Sequence, residues 1–426
     1  MKNDVNIARF SRLLLTTALM FVAMPAHATD GYFLHGSGAK AKGMAGAAIA
    51  YPQDALAIAS NPASATEVGH RLDIGVDIFV PDRSATIHGN AFGPDASYSG
   101  NGANPFVLPE IGYVRPVSDK LAIALAIYGN GGMNTEYKTN PFGRFGATGP
   151  AGIDLKQIFI TPTVAYKIAN GHSIGISAVG VVQGFQAKGI APFAAASADP
   201  ANFTNRGTSW SFGAGVRVGW LGHLTDRLSA GAFYQSKVWT SNFDKYAGLF
   251  ADQGGFNVPA SWGGGIAYRL TDRLDFAADV KRIEYSGVGS VGNPLAPLFS
   301  GVPFGATDGP GFGWRDITVY KAGLAYEASE ALTLRAGYGR SGQPIPRSQT
   351  FLNTLAPGIV QDHFTLGATW TTASGMEVTT HVLYAPKNTV LGQGSIPPGM
   401  PPGFGGGEVD LSMGEFAGGL SFGFKF

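Results

Sequence analysis

The residues able to do chemistry are few and scattered. Histidines stand at 27, 35, 70, 88, 172, 223, 363 and 381, and no two have the spacing of a metal-ligand pair. There is no cysteine, which excludes a disulfide framework, a thiol nucleophile and any Cys-based metal site. No G-x-S-x-G elbow presents a serine. Gly36-Ser37-Gly38-Ala39-Lys40 sets glycines beside a lysine, but no strand leads into it and the Walker spacing fails. A nucleophile needs a base within reach. No such pair is recognisable, so neither an enzyme, a metal site nor a cofactor is expected.

The elements that would position such groups are also unlike those of a soluble enzyme. Charged residues make up 14% of the chain, against roughly 25% in soluble domains. Aromatic residues reach 12%, and glycine occurs 62 times. Yet after the first thirty or so residues no apolar run approaches the ~20 of a membrane-spanning helix. A chain that is apolar in sum, but never apolar for long, is alternating its side chains. A barrel strand does this between lipid and lumen. The net charge is +1. No stripe of Lys and Arg interleaved with aromatics points to nucleic acid.

Residues 1–28 have the pattern of a secretory signal: Lys2, Arg9 and Arg12, then apolar Leu13 to Ala23, then the small-x-small triplet Ala26-His27-Ala28. Residues 29–70 are rich in Gly and Ala and show no strand alternation. One short helix is expected there, from Asp54 to Ser60, with Pro52 before it and Pro62 closing it.

From Arg71 onward, period-2 alternation takes over. Leu72, Ile74, Val76, Ile78 and Val80 share one face, and Asp73, Gly75 and Asp77 the other. Such runs predict an all-β, transmembrane antiparallel barrel of about fourteen strands over residues 71–426. The strands fall near 71–82, 110–117, 120–128, 155–167, 172–185, 210–224, 228–239, 260–270, 274–285, 318–328, 332–339, 363–372, 377–386 and 412–426. Short turns at 118–119, 170–171, 225–227, 271–273, 329–331 and 373–375 alternate with long loops such as 83–109, 129–154, 286–317 and 387–411. Outer-membrane barrels have this asymmetry, with tight periplasmic turns. Both chain ends are then expected in the periplasm of a Gram-negative cell. Trp220, Tyr234, Trp239, Trp262, Tyr268, Tyr326, Tyr338, Trp370 and Tyr384 lie near strand ends, as interfacial girdle residues do. Ser211, Gly213, Arg217, Ser229, Gln235, Lys237, Thr333, Arg335 and Gly337 fall on lumen-facing positions. At Lys281-Arg282 the alternation slips, which suggests a bulge or a shorter strand.

The segment Asp30-Gly31-Tyr32-Phe33-Leu34-His35-Gly36 continues in Gly43-Met44-Ala45-Gly46, Asp54-Ala55 and Asn61-Pro62-Ala63. It resembles the start of the FadL family of outer-membrane transport proteins for long-chain fatty acids and hydrocarbons. Trp314-Arg315-Asp316, the stretch 337–346 and the closing Phe422-Gly423-Phe424-Lys425-Phe426 extend the likeness along the chain.

The resemblance implies a fourteen-strand barrel plugged by an N-terminal hatch, residues 29–70. It implies that outer loops capture a hydrophobic ligand and that Tyr32 and Phe33 touch it. Hatch movement then lets the ligand leave sideways at a kinked third strand. Asn61, Pro62 and Ala63 would face that strand at 120–128, whose end Gly129-Asn130-Gly131-Gly132 tolerates irregular backbone. Phe426 resembles the terminal signal read by the barrel-assembly machinery, and the family implies a monomer among outer-membrane lipids.

The expected function is passive uptake of hydrophobic compounds, long-chain fatty acids first, with aromatic or alkane hydrocarbons as the alternative. For a carboxylate, the candidate basic partners are Arg217, Lys237, Lys281 and Arg335. A general porin for hydrophilic solutes would need an open lumen, which residues 29–70 argue against. A barrel serving as an adhesin would use its long loops, whose sequences disclose no partner.

Overall fold

The computed structural model describes residues 29–399 and 403–426, so the expected signal lies outside the described residues. Among these residues, fourteen antiparallel strands close into one barrel. They are β1 (Arg71–His88), β2 (Phe106–Pro116), β3 (Leu121–Tyr137), β4 (Ala151–Ala169), β5 (His172–Lys188), β6 (Ser209–His223), β7 (Leu228–Gln235), β8 (Ser261–Thr271), β9 (Leu274–Ile283), β10 (Ile317–Ser329), β11 (Leu332–Ser341), β12 (Asp362–Thr371), β13 (Glu377–Val390) and β14 (Glu408–Lys425). Each pairs with its neighbours in sequence. β14 returns to β1 in unbroken register, from Arg71 opposite Lys425 to His88 opposite Glu408. Closure leaves no sheet edge bare in lipid. Two short accessory strands, Ala96–Ser99 and Trp239–Thr240, add to β1 and β6.

The alternation is inverted relative to a soluble sandwich. On β1, Ile74, Val76 and Ile78 are exposed, while Asp73 and Asp77 between them are buried. Trp210, Tyr234, Trp262, Tyr320, Trp370 and Tyr384 are exposed on the outer wall. Lipid outside and polar side chains inside demand this arrangement. All six expected short turns join the expected strands. At Asn170-Gly171, between β4 and β5, Gly171 has φ +73°, the left-handed backbone that two-residue hairpin turns use.

The structure changes several strand expectations. β1 runs on to His88 and β13 to Val390, and β14 starts at Glu408, all inside expected loops. β3 runs on to Tyr137 and β4 starts at Ala151, inside the stretch 129–154 that reads as loop. Above the lipid both faces of a strand can be polar, so pairing continues after the apolar alternation stops. β7 ends at Gln235, and Trp239 pairs separately with Ala214 of β6. There is no bulge at Lys281-Arg282, because β9 keeps its register there with both β8 and β10, but the strand is shorter than expected and ends at Ile283. Lys281 turns inward towards Phe33, and Arg282 meets Asp316 at 3.3 Å. Two adjacent cations near a strand end, one on each face, imitate a slip.

The long loops fold onto one another through aromatic pairs. Phe142 and Phe193 stand 5.2 Å apart, Phe193 and Phe404 4.9 Å, and Phe203 and Phe304 5.5 Å.

Candidate functional site

Most of residues 29–65 are buried against inward-facing positions of the strands. One helical turn, α1 (Ala39–Lys42), is followed by two 3-10 turns, Ala55–Ala59 and Pro62–Thr66. Asp54 caps the first by accepting from the Leu56 N–H at 3.0 Å, and Asn61 caps the second by accepting from the Ala63 N–H at 3.1 Å. Pro62 therefore opens a turn of its own, at the position where its missing N–H is not needed.

Buried charge fixes the base of this segment. Lys40 meets Glu377 at 2.6 Å, and Arg71 meets Glu377 and Asp73 at 2.7 Å each. Lys42 sits between Asp77 and Glu110. Burial alone would lower the Lys42 pKa, but the two carboxylates outweigh it and hold the ammonium above its ordinary range. Burial, with Asp73 beside it, pushes the Asp54 carboxyl up to about 7.

Ahead of this base, residues 29–36 form an arm that reaches β3. There β3 and β4 pair Gly129 with Ile158 and then Gly131 with Gln157, so Asn130 is an extra residue. This is a β-bulge. The arm pairs onto it: the Leu34 N–H donates to the Asn130 carbonyl at 2.9 Å, and the Gly132 N–H donates to the Tyr32 carbonyl at 3.0 Å. Glycine is required at 131, because a β-carbon there would stand 1.8 Å from the Tyr32 oxygen. The Asn130 side chain bonds Gln157, which bonds Gln183, so the bulge leaves these amides satisfied.

The arm has other anchors. Asp30 meets Lys321 at 3.0 Å and accepts from the Ser341 hydroxyl at 2.7 Å. Burial pushes the Asp30 carboxyl up, but Lys321, His363, Lys281 and Ser341 together hold it below the usual carboxylate range. From the long loop after β9, the Tyr285 hydroxyl donates to the Asp30 carbonyl at 2.5 Å.

Two cavities flank the arm. The first is an apolar cleft of about 260 Å³ beside Tyr32, Leu34, Phe79 and Met133. Its lining also includes Val107, Ile127 and Ile158, of which Val107 and Ile158 are exposed on the outer wall. The cleft therefore crosses the barrel wall at the bulge. The second is a polar chamber of about 60 Å³ lined by Phe33, His35, Arg217, Asp279, Lys281 and Lys321. Leu34 and Gly129 border both.

Tyr32 and Phe33 are thus brought onto Gly131 and Gly132, and Leu34 onto Asn130. Asn61, Pro62 and Ala63 are not. The Asn61 amide donates to the Trp220 carbonyl at 2.9 Å. β-Carbons at Gly175 and Gly219 would stand 2.4 Å from Pro62 and 2.1 Å from Asn61. The triplet lies against β5 and β6, where glycines leave room, and the turn it opens, Pro62–Thr66, also lies beside β3 and β4. The inward positions of β3 below the bulge carry Ala122, Ala124, Ala126 and Tyr128 instead.

Of the four basic candidates, Arg217 and Lys281 line the chamber. Arg335 is held by Gln53 and Thr369 at 2.7 Å each, and Lys237 reaches the Gly287 carbonyl in a long loop. Sequence reasoning missed Lys321, although its inward alternation with Val319 could have found it. It also missed Tyr285, which the expected strand 274–285 took as its last residue.

Residues 20–390 match the family described as outer membrane protein transport protein (OMPP1/FadL/TodX). NMB0088 of Neisseria meningitidis serogroup B, described as an outer membrane protein, is 25% identical over 395 residues, covering 81% of this chain and 83% of that one. Among solved structures, the toluene transporter TodX of Pseudomonas putida covers 92% of this chain and 99% of its own, with 20% identity and a TM-score of 0.67. A FadL homologue of Pseudomonas aeruginosa covers 92% and 98%, with 17% identity and a TM-score of 0.66. The likeness runs through nearly the whole chain, and the protein belongs to the OMPP1/FadL/TodX family of outer-membrane transport proteins.

Proposed function

We propose that the protein is a passive outer-membrane channel for small hydrophobic compounds, with residues 29–70 as its hatch. The long loops face outward and gather the ligand, while the short turns and both chain ends face the periplasm. The cleft beside Tyr32 and Leu34 receives the ligand. Release of the arm then lets it leave sideways at the Asn130 bulge. The channel works as a monomer, and Phe426 serves its assembly.

One observation carries this reading: a single apolar cleft contains both Tyr32 of the arm and Val107 of the lipid-facing wall. A hydrophobic ligand gains about 0.8 kcal/mol per CH₂ kept out of water. A sideways exit from this cleft avoids water, whereas an aqueous pore would not. The movement is downhill and needs no nucleotide.

Uncharged hydrocarbons fit the cleft best. Its cations are already engaged, Lys156 with Asp154 at 2.6 Å and Arg83 with Asn104 at 2.6 Å. The similar structure TodX is a toluene transporter. Long-chain fatty acids are the second reading, favoured by the polar chamber. A chain lying along Leu34 would have its tail in the cleft and its carboxylate beside Arg217 and Lys281.

The test is uptake of labelled toluene and labelled oleate in a host lacking channels of this class, comparing native protein with the Tyr32→Ala/Phe33→Ala double variant. Uptake that falls in the variant supports the reading, and the ligand that responds names the substrate class. Correctly assembled native protein that raises uptake of neither ligand overturns it.

A further inference from the structure

The long loop between β9 and β10, residues 284–316, acts in two places. At its start, Tyr285 is fully buried, with its hydroxyl on the arm: it donates to the Asp30 carbonyl at 2.5 Å and accepts from the Tyr32 N–H at 3.2 Å. Its ring lies 5.2 Å from that of Tyr32 and 5.8 Å from that of Phe33. Further along, the same loop contributes Ser290, Phe304 and Phe312 to an apolar pocket completed by Phe193, Phe250 and Leu355.

The stretch between these two places is stiff. The Phe312 N–H bonds the Ser290 carbonyl at 3.2 Å, and the Trp314 N–H bonds the Val291 carbonyl at 2.9 Å. Asn353 holds both the Trp314 indole N–H and the Phe312 carbonyl at 2.6 Å. Trp314 stands edge-on to Tyr285, with ring centroids 5.1 Å apart. The loop pocket has only about 30 Å³ free, so no hydrophobic molecule can enter without moving its walls.

The geometry points to Tyr285 as the residue that couples ligand capture in the long loops to release of the arm, an inference that rests on the channel reading above. A ligand wedged against Phe312 shifts Trp314, and Trp314 carries Tyr285 with it. The arm then loses two hydrogen bonds. Because the ligand binds the opened pocket better than the closed one, it shifts the population towards the released arm. By linkage, a seated arm keeps the pocket closed.

The chain has no native cysteine, so Leu34→Cys supplies a single reporter, labelled by a water-soluble maleimide. Tyr285→Phe keeps the ring and removes the hydroxyl. Added to the reporter chain, it should raise the labelling rate about tenfold without ligand, the size expected for one or two lost hydrogen bonds. Toluene should speed labelling several-fold in the reporter chain and add little in the Tyr285→Phe chain. Both chains should keep the compact, heat-modifiable migration of a folded barrel. Equal labelling rates without ligand overturn the proposal, as does an equal response to toluene in both. Failure of the channel reading shows differently, as an absence of toluene uptake by the native protein.

Discussion

The backbone of Leu34 pairs with that of Asn130, N–H to carbonyl at 2.9 Å, so the arm is a short extra strand laid on the bulge of β3. A bulge leaves its extra residue without a ladder partner. Here the arm supplies that partner from inside. With the arm seated, the cleft beside it keeps about 260 Å³, and in the proposed channel unseating the arm widens it.

Gly131 makes this pairing possible. Gly131→Ala puts a methyl group onto the Tyr32 carbonyl, so the arm should unseat while the base stays in place. Hydrogen exchange should quicken at least about tenfold over residues 29–36 and stay slow over 39–66. Unchanged exchange in the arm would show that the backbone contact does not hold it.

Lys42 tests the base. Lys42→Met leaves Asp77 and Glu110 buried without their shared cation. Breaking a buried pair in this way costs about 3–5 kcal/mol. Urea unfolding in detergent micelles should show a loss of that order. A loss under about 1 kcal/mol, the scale of an exposed pair, would mean that water reaches the site.

Asp54 gives a pH dependence of definite sign. Its folded pKa is raised from 3.8 to about 7, by burial and by Asp73. Its stabilising contribution is complete below the unfolded value and is lost as pH rises through about 7. Asp54→Asn cannot ionise. Between about pH 4 and 7 the native urea midpoint should fall more than that of the variant. Parallel curves would contradict the assignment.

Arg217 and Lys281 separate the two ligand classes. If a carboxylate occupies the chamber, changing both to Met should lower oleate uptake about tenfold or more, the scale of a lost charged hydrogen bond. Toluene uptake should not change. Equal oleate uptake in variant and native protein would confine the ligands to uncharged compounds.

The barrel was legible in the sequence because lipid imposes a strict rule: Ile74, Val76 and Ile78 out, Asp73 and Asp77 in. Where the lipid ends, the rule ends, so the upper part of β3 and the two faces at Lys281-Arg282 could not be read. Gly129 to Gly132 announced irregular backbone near the third strand, but not which residue was extra. The place of Asn61 depends on room left by Gly175 and Gly219, which nothing in the triplet discloses. Tyr285 reads as the end of a strand and Trp314 as part of the Trp314-Arg315-Asp316 likeness, and neither pattern discloses their packing in the loop, which comes from long-range contacts.

The most direct test of lateral exit locks the arm onto the wall. A β-carbon at position 129 would stand 3.8 Å from a methyl group of Leu34. Leu34→Cys with Gly129→Cys places two thiols close together in a chain otherwise free of cysteine, where a short bis-methanethiosulfonate linker joins them through disulfides that reduction cleaves. Toluene uptake would be measured in cells before and after reduction. The account predicts uptake near background in the linked protein and recovery on reduction. Full uptake with the linker intact would contradict it, because the ligand would then cross without the arm leaving the bulge.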